Sequence, residues 1–306
     1  MGPALRISTA MPIRNIQSKD NTRIKELRKA LADPGRSPGS LVGGASGLVG
    51  IEGPNLIEES LRAGLSVRTI FVAQGAERLL AALRIPPEIE LLQLPRKLLD
   101  SALATESPQP IAALVEPPQW TWEHVLGLRR KSAPLVVVLA GLQDPGNLGT
   151  ILRSAEAFGA SGVVSLPGTV SAWNPKAVRA SAGSVFRVPL LAAGEAEAFA
   201  RLREAGAKIL AAASRGATAL TGVDLQVPVA LVIGNEGNGV PDAIARAADG
   251  EISIPCPGPV ESLNAAIAAS VLLYEASRQR ATRMNEPSSS PRLSSKAPNR
   301  AAGARR

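Results

Sequence analysis

The chain of 306 residues holds one cysteine and one histidine. Cys256 alone excludes an internal disulfide, and one histidine leaves no means of building a His/Cys metal cluster. No apolar run approaches the length of a membrane span, and the first residues lack the apolar core of a secretory signal. No dinucleotide fingerprint is present: Gly43-Gly-Ala-Ser-Gly47-Leu-Val-Gly50 has the wrong spacing and no clear strand before it. A nucleotide-dependent oxidoreductase is thereby disfavoured. These absences point to a cytoplasmic protein without a membrane partner, a bound metal or a disulfide framework. His124 lies near an expected domain junction and reads as structural, and Cys256 as a small side chain in a proline loop.

Acidic residues are scarce at the two ends. The formal net charge is +8. From Arg278 to Arg306 eight Lys/Arg face one acid, and from Met1 to Arg36 eight face three. The body between them is slightly acidic, so the basic character belongs to the ends. Basic arms on a near-neutral body suit nucleic-acid contacts. Residues 281–306 are rich in Ser, Pro, Ala and Arg, with almost no large apolar residues. That composition predicts a disordered basic tail, with residues 1–14 a flexible extension.

Three stretches combine a buried strand with a polar turn. Leu135–Ala140 is a short β-branched run that leads into Asp144-Pro-Gly-Asn147, after which Leu148, Ile151, Leu152 and Ala155 follow helical spacing. Val229–Ile233 is a second buried strand running into Gly234-Asn-Glu236-Gly237-Asn-Gly239. Asp249–Ile254 reads as a third, followed by a stiff loop in which Pro255, Pro257 and Pro259 lack backbone donors. Ser262 or Asn264 then caps an Ala-rich helix expected over Leu263–Arg280.

These stretches resemble the SpoU/TrmH family of RNA 2′-O-ribose methyltransferases. Asn147, Gly149, Arg153 and Ala155 match its first motif. Gly234, Glu236, Gly237 and Gly239 match the second, and Ile254, Pro255, Ser262, Leu263 and Asn264 the third. The resemblance implies an α/β catalytic domain of SPOUT type with a deep trefoil knot, an exception to the rule against threaded chains. It implies S-adenosylmethionine as cofactor, with Gly234, Gly237, Gly239, Ile254 and Leu263 as cofactor-binding positions. It also implies a catalytic set of Arg153, Asn147, Glu236, Ser262 and Asn264, and a homodimer with the C-terminal helix in its interface. Arg153 is the residue expected to favour attack by the 2′-hydroxyl. Electrostatic stabilisation asks less of it than proton abstraction, because a guanidinium hardly ever deprotonates. Asn147 would orient Arg153 or the ribose, and Glu236 would pair with Arg153 or orient it, from the same chain or from the neighbouring protomer.

The N-terminal half resembles the small ribosomal-protein-like α/β substrate-binding domain of the same enzymes. Ser18, Asn21, Ile24 and Lys25 match its opening, and Glu52, Gly53 and Asn55 its central turn. Pro110 stands where the family has a glycine. The expected organisation is an RNA-binding domain over 15–117, a linker over 118–133 with Trp120 and Trp122, and a methyltransferase domain over 134–280. Ribosomal RNA of the large subunit is the favoured substrate and transfer RNA the alternative. A non-catalytic RNA-binding or assembly factor on the same fold is the competing reading.

Overall fold

The computed structural model describes residues 12–32, 47–103, 105–214, 217–260 and 262–285. The glycine-rich turn at Gly43–Ser46, most of the N-terminal extension and the tail beyond Asn285 lie outside these residues.

The first unit runs β1 (Ile13–Asn15), α1 (Thr22–Ala32), β2 (Val49–Glu52), α2 (Pro54–Arg62), β3 (Val67–Ala73), α3 (Arg78–Ala81), β4 (Glu90–Leu94), α4 (Arg96–Asp100) and β5 (Ile111–Val115). Its sheet has the order β1-β4-β3-β5-β2, with β5 antiparallel to both neighbours and the other pairs parallel. The expected flexible extension therefore stops short of residues 13 and 14, which pair with β4 through Ile13–Leu91 and Arg14–Leu92. A three-residue strand carries too little pattern to be read from sequence. The Asn21 side chain accepts from the Arg23 amide at the start of α1, the capping geometry its residue type favours. Glu52, buried at the end of β2, accepts from the Thr105 hydroxyl and the Gln109 amide.

The second unit follows a connection containing α5 (Trp122–Val125), where Thr121 and His124 form a reciprocal cap, the structural role expected of that histidine. It continues β6 (Leu135–Leu139), α6 (Pro145–Ala157), β7 (Gly162–Ser165), α7 (Pro175–Ala180), β8 (Leu190–Ala192), α8 (Glu195–Glu204), β9 (Lys208–Ala213), β10 (Thr218–Ala219), β11 (Val229–Ile233), α9 (Asp242–Ala247), β12 (Gly250–Ser253) and α10 (Ala265–Asn285). The seven strands lie in the order β10-β12-β9-β11-β6-β7-β8, every pair parallel. β6 and β11 are buried at every position, as expected of central strands covered by helices on both faces. One apolar cluster joins Ile51 and Ile57 of the first unit to β6, α6 and α10 of the second, through residues such as Val137, Leu139, Ile151 and Leu272.

The last helix departs from expectation at both ends. It begins at Ala265, two residues late, because the Asn264 side chain accepts from the Ala266 and Ile267 amides and so sits outside the helix as its cap. It also continues to Asn285, five residues into the segment expected to be a disordered tail. Its anchor is Arg280, whose guanidinium donates to the carbonyls of Ala133, Pro134, Leu225 and Val227, at the entries of β6 and β11. Ala266, Ala269, Leu272, Leu273 and Ala276 are buried in the chain's own core. Part of the Ala-rich face expected at a partner interface is thus used internally.

Candidate active site

All strands of the second sheet are parallel, so the loops after β6, β11 and β12 leave from the same edge. That carboxyl edge is where open α/β sheets hold their ligands. Two of the loops follow adjacent strands, β6 and β11; β12 is separated from β11 by β9.

The loop after β6 turns into α6 through Asp144, whose carboxylate accepts from the Gly146 amide at 2.7 Å, with Pro145 in the first turn. Lys176 Nζ lies 3.0 Å from the same carboxylate oxygen. These contacts hold the Asp144 carboxyl below the usual range, the Gly146 amide first and Lys176 second. Asn147 is therefore not the cap. It sits inside α6, buried at 9% exposure. Gly149 lets α6 lie flush on α7, since a Cβ there would fall 2.4 Å from the Ala177 carbonyl oxygen.

The loop after β11 folds back on itself: Asn235 and Gly239 exchange both backbone hydrogen bonds. Gly234 is required by this return. A Cβ on it would lie 2.0 Å from the carbonyl carbon of Gly239, so packing of chain on chain explains that glycine. Gly239 has a φ of 68°, in the region open to glycine. Asn235 braces the loop, donating to the Gly141 carbonyl and accepting from the Gly237 amide. It was not singled out from sequence; an Asn directly after Gly234 and two residues before Gly237 is the signal, because its short amide readily bonds backbone two residues on.

Glu236 joins this loop to the first. Its Oε1 accepts from the Asp144 amide at 2.9 Å and from Asn147 Nδ2 at 3.0 Å, and its Oε2 accepts from the Gln143 amide at 3.2 Å. Burial pushes the carboxyl up, but the bonds from Asn147, Asp144 and Gln143 outweigh it and hold Glu236 below its ordinary value. Within one chain Glu236 does not pair with Arg153: Asn147 and two main-chain amides take the carboxylate.

The third loop completes the chain. Asn264 Nδ2 donates to Asn147 Oδ1 at 3.0 Å while its own oxygen caps α10. Both ends of the Asn147 amide are thus engaged, one by Glu236 and one by Asn264, and neither reaches Arg153. Asn264 is both cap and bridge. Ser262 is exposed and two residues ahead of the cap. Ile254 and Leu263 are half-buried and bracket an exposed loop over residues 255–260. Cys256 is exposed in it.

Arg153 projects from α6 two turns after its start and is exposed. No ion pair joins it to any other described residue. The adjacent Ser154 hydroxyl meets that of Ser270 at 2.7 Å, fixing α6 against α10. A separate cleft of about 740 Å³ lies at the amino ends of β3 and β4. Its arginines are neutralised there, Arg14 and Arg23 by Glu90 and Arg68 by Glu116. None of its lining residues belongs to the loops after β6, β11 and β12. Among the described residues no group of His, Cys, Asp and Glu could hold a metal, and no helix is long and apolar enough to cross a membrane.

Residues 134–274 match the model of the SpoU rRNA methylase family, and residues 51–121 match that of the RNA 2′-O-ribose methyltransferase substrate-binding domain. The chain is 31% identical over 266 residues to the 23S rRNA (guanosine(2553)-2′-O)-methyltransferase RlmP of Bacillus subtilis, covering 86% of this chain and 98% of that one. The fold is similar to the SpoU methyltransferase AviRb of Streptomyces viridochromogenes in complex with S-adenosylmethionine. That match has a TM-score of 0.70 at 28% identity and covers 86% of this chain and 99% of the other. It is also similar to the S-adenosylmethionine-bound rRNA methyltransferase of Sinorhizobium meliloti. Here the TM-score is 0.71 at 28% identity, over 87% of this chain and 98% of the other.

Proposed function

Because this chain belongs to the SpoU family of rRNA methylases, we propose that it methylates a ribose 2′-hydroxyl of large-subunit ribosomal RNA, using S-adenosylmethionine. The observation that carries the reading is the hydrogen-bonded chain from the Gln143 and Asp144 amides through Glu236 and Asn147 to Asn264. It ties the three polar loops into one unit and leaves Arg153, which pairs with no acid among the described residues, free to act beside them. The near-full-length similarity to RlmP favours ribosomal over transfer RNA.

The residues fit the cofactor. Half-buried Ile254 and Leu263 flank an exposed, proline-stiffened main chain, a mostly apolar surface with a few fixed polar groups of the kind that holds an adenosyl moiety. Together with the returning loop at Gly234, Gly237 and Gly239 they would hold it. When bound, S-adenosylmethionine supplies an electrophilic methyl on a sulfonium centre. The chain's part is alignment and charge stabilisation. For the 2′-hydroxyl to accept that methyl, its proton would have to pass to water or an RNA phosphate oxygen, and negative charge would build on the 2′-oxygen as it departs. Arg153 stabilises that charge as a fixed cation. Asn147, Glu236 and Asn264 hold α6 and the third loop in register so that Arg153 faces the acceptor, and exposed Ser262 is placed to meet RNA.

In this reading the unit over 134–280 is the catalytic domain, threaded as a trefoil knot, and the unit over 15–117 presents RNA to it across the linker at 118–133. The enzyme works in the cytoplasm as a homodimer. Val260, Ile267 and Tyr274 support the dimer, being large apolar side chains left exposed on the third loop and on α10.

The test is methyl transfer from labelled S-adenosylmethionine to unmodified total RNA, wild type beside Arg153→Ala. Label should appear at one alkali-resistant ribose, with single-turnover transfer falling on the order of 10²–10³-fold in the variant. Because Arg153 is exposed, the melting temperature should stay within about 2 °C. RNA binding without transfer by the wild type would favour the non-catalytic factor.

A further inference from the structure

Glu156 stands three residues beyond Arg153 on α6, so the two side chains are neighbours on the helix surface and are suited to pair. They do not. A fork from Arg187 holds Glu156: Nε donates to Oε1 at 2.5 Å and Nη2 to Oε2 at 3.1 Å. The remaining arm of the guanidinium, Nη1, donates to Glu59 Oε2 at 2.6 Å. Glu59 lies on α2 of the first unit, so one arginine clamps a carboxylate from each unit. The three side chains are only 25–35% exposed, which places the cluster in the contact between units rather than on a solvated face.

The backbone around Arg187 is shaped for this contact. α7 ends in a turn where Ala182 has a φ of 49° and Gly183 a φ of 89°. Left-handed backbone is uncommon for a residue with a side chain, and Gly183 has a second constraint. A Cβ there would lie 2.8 Å from Glu59 Cβ. The turn therefore rests directly on α2 and delivers Arg187 between the two acids.

We propose that Arg187 is a positioning residue for Arg153: by occupying Glu156 it prevents that carboxylate from neutralising the arginine three residues before it. The charges support this. Without Arg187, Glu59 still has Arg62 at 3.3 Å on its own helix, whereas Glu156 has no second cation on α6 except Arg153. A bidentate arginine suits the task because its planar fork fixes both carboxylate oxygens, which a lysine cannot do. The proposal rests on the reading that Arg153 acts at the reacting oxygen, and it needs a test that is independent of turnover.

That test is labelling of arginines with phenylglyoxal, which attacks unpaired guanidinium groups, mapped by mass spectrometry on the full chain. Arg153 should label readily in the wild type, about tenfold more slowly in Arg187→Met, and at the wild-type rate again in Arg187→Met/Glu156→Gln. Single-turnover methyl transfer should follow the same order, falling about tenfold and then recovering, with S-adenosylmethionine affinity unchanged throughout. Arg187→Lys, which keeps the charge and the volume, should be intermediate in both readouts and guards against misfolding of the methionine variant. Equal labelling of Arg153 in all chains overturns the proposal, as does a double variant no faster than Arg187→Met. A wild type that methylates no RNA overturns the functional reading instead, and the labelling pattern still decides the role of Arg187.

Discussion

Replacing Asn147 by aspartate changes one nitrogen to oxygen and leaves the packing intact, yet it strikes the hub of the site. Asn147 Nδ2 donates to Glu236 Oε1 across 3.0 Å, at a position only 9% exposed. In Asn147→Asp two carboxylates would meet at that distance. Glu236 is exposed on its other side, so an effective dielectric of about 20 to 40 applies, and the repulsion is about 3–5 kcal/mol. The alternative is to protonate the new aspartate, whose O–H then restores the lost donor. At pH 7 that costs about 4 kcal/mol, three units of pH above an ordinary Asp at about 1.4 kcal/mol each. The variant takes whichever route is cheaper, so it should lose about 3–4 kcal/mol at pH 7, on the order of 10 °C in melting temperature. The sign with pH is distinctive. The folded variant's carboxyl is raised above its unfolded value, so its deficit should shrink by about 1.4 kcal/mol for each unit of acidification toward pH 5. Thermal melts of both proteins between pH 5 and pH 7.5 give the comparison. A deficit that stays constant over that range would refute the Asn147–Glu236 contact as the cause.

Two further perturbations probe the same loops. Gly234→Ala places a methyl 2.0 Å from the Gly239 carbonyl carbon, so the returning loop has to open; we expect a loss of more than about 3 kcal/mol, read as a fall in the urea midpoint. A variant as stable as the wild type would show that the close return is not needed for folding. Glu236→Gln removes a carboxyl held below its usual value by hydrogen bonds that outweigh burial. Such a group stabilises the fold above its unfolded value of about 4.3 and ceases to do so as pH falls through its folded value. The stability gap between wild type and Glu236→Gln should therefore be full at pH 7 and close below about pH 4; a gap that persists there would count against the charge as its origin.

Strands and turns were the most legible part of the sequence. Val229–Ile233 occurs at its expected bounds and Leu135–Leu139 ends one residue before its expected end, because β-branched apolar runs between breakers have few other ways to be buried. The roles within the site were less legible. Ser262 and Asn264 were equal candidates for the cap, and only Asn264 serves, because the helix axis starts one residue after it. Glu236, expected to pair with Arg153 or orient it from either protomer, is engaged within its own chain by Asn147 and two backbone amides. Both residues are polar groups with several possible partners, and sequence spacing does not choose among them.

The order of residues by itself determined the family motifs, the near-neutral body with basic ends and the short apolar strands, since each depends only on neighbours along the chain. Only the tertiary structure decided that Asn147, Glu236 and Asn264 form one hydrogen-bonded unit across separations of 89 and 117 residues. It also decided that Glu156 answers to Arg187, 31 residues away, rather than to the nearby Arg153. A carboxylate bonds the donor that packing brings to within about 3 Å, and where the parallel strands deliver their loops is a property of the whole sheet.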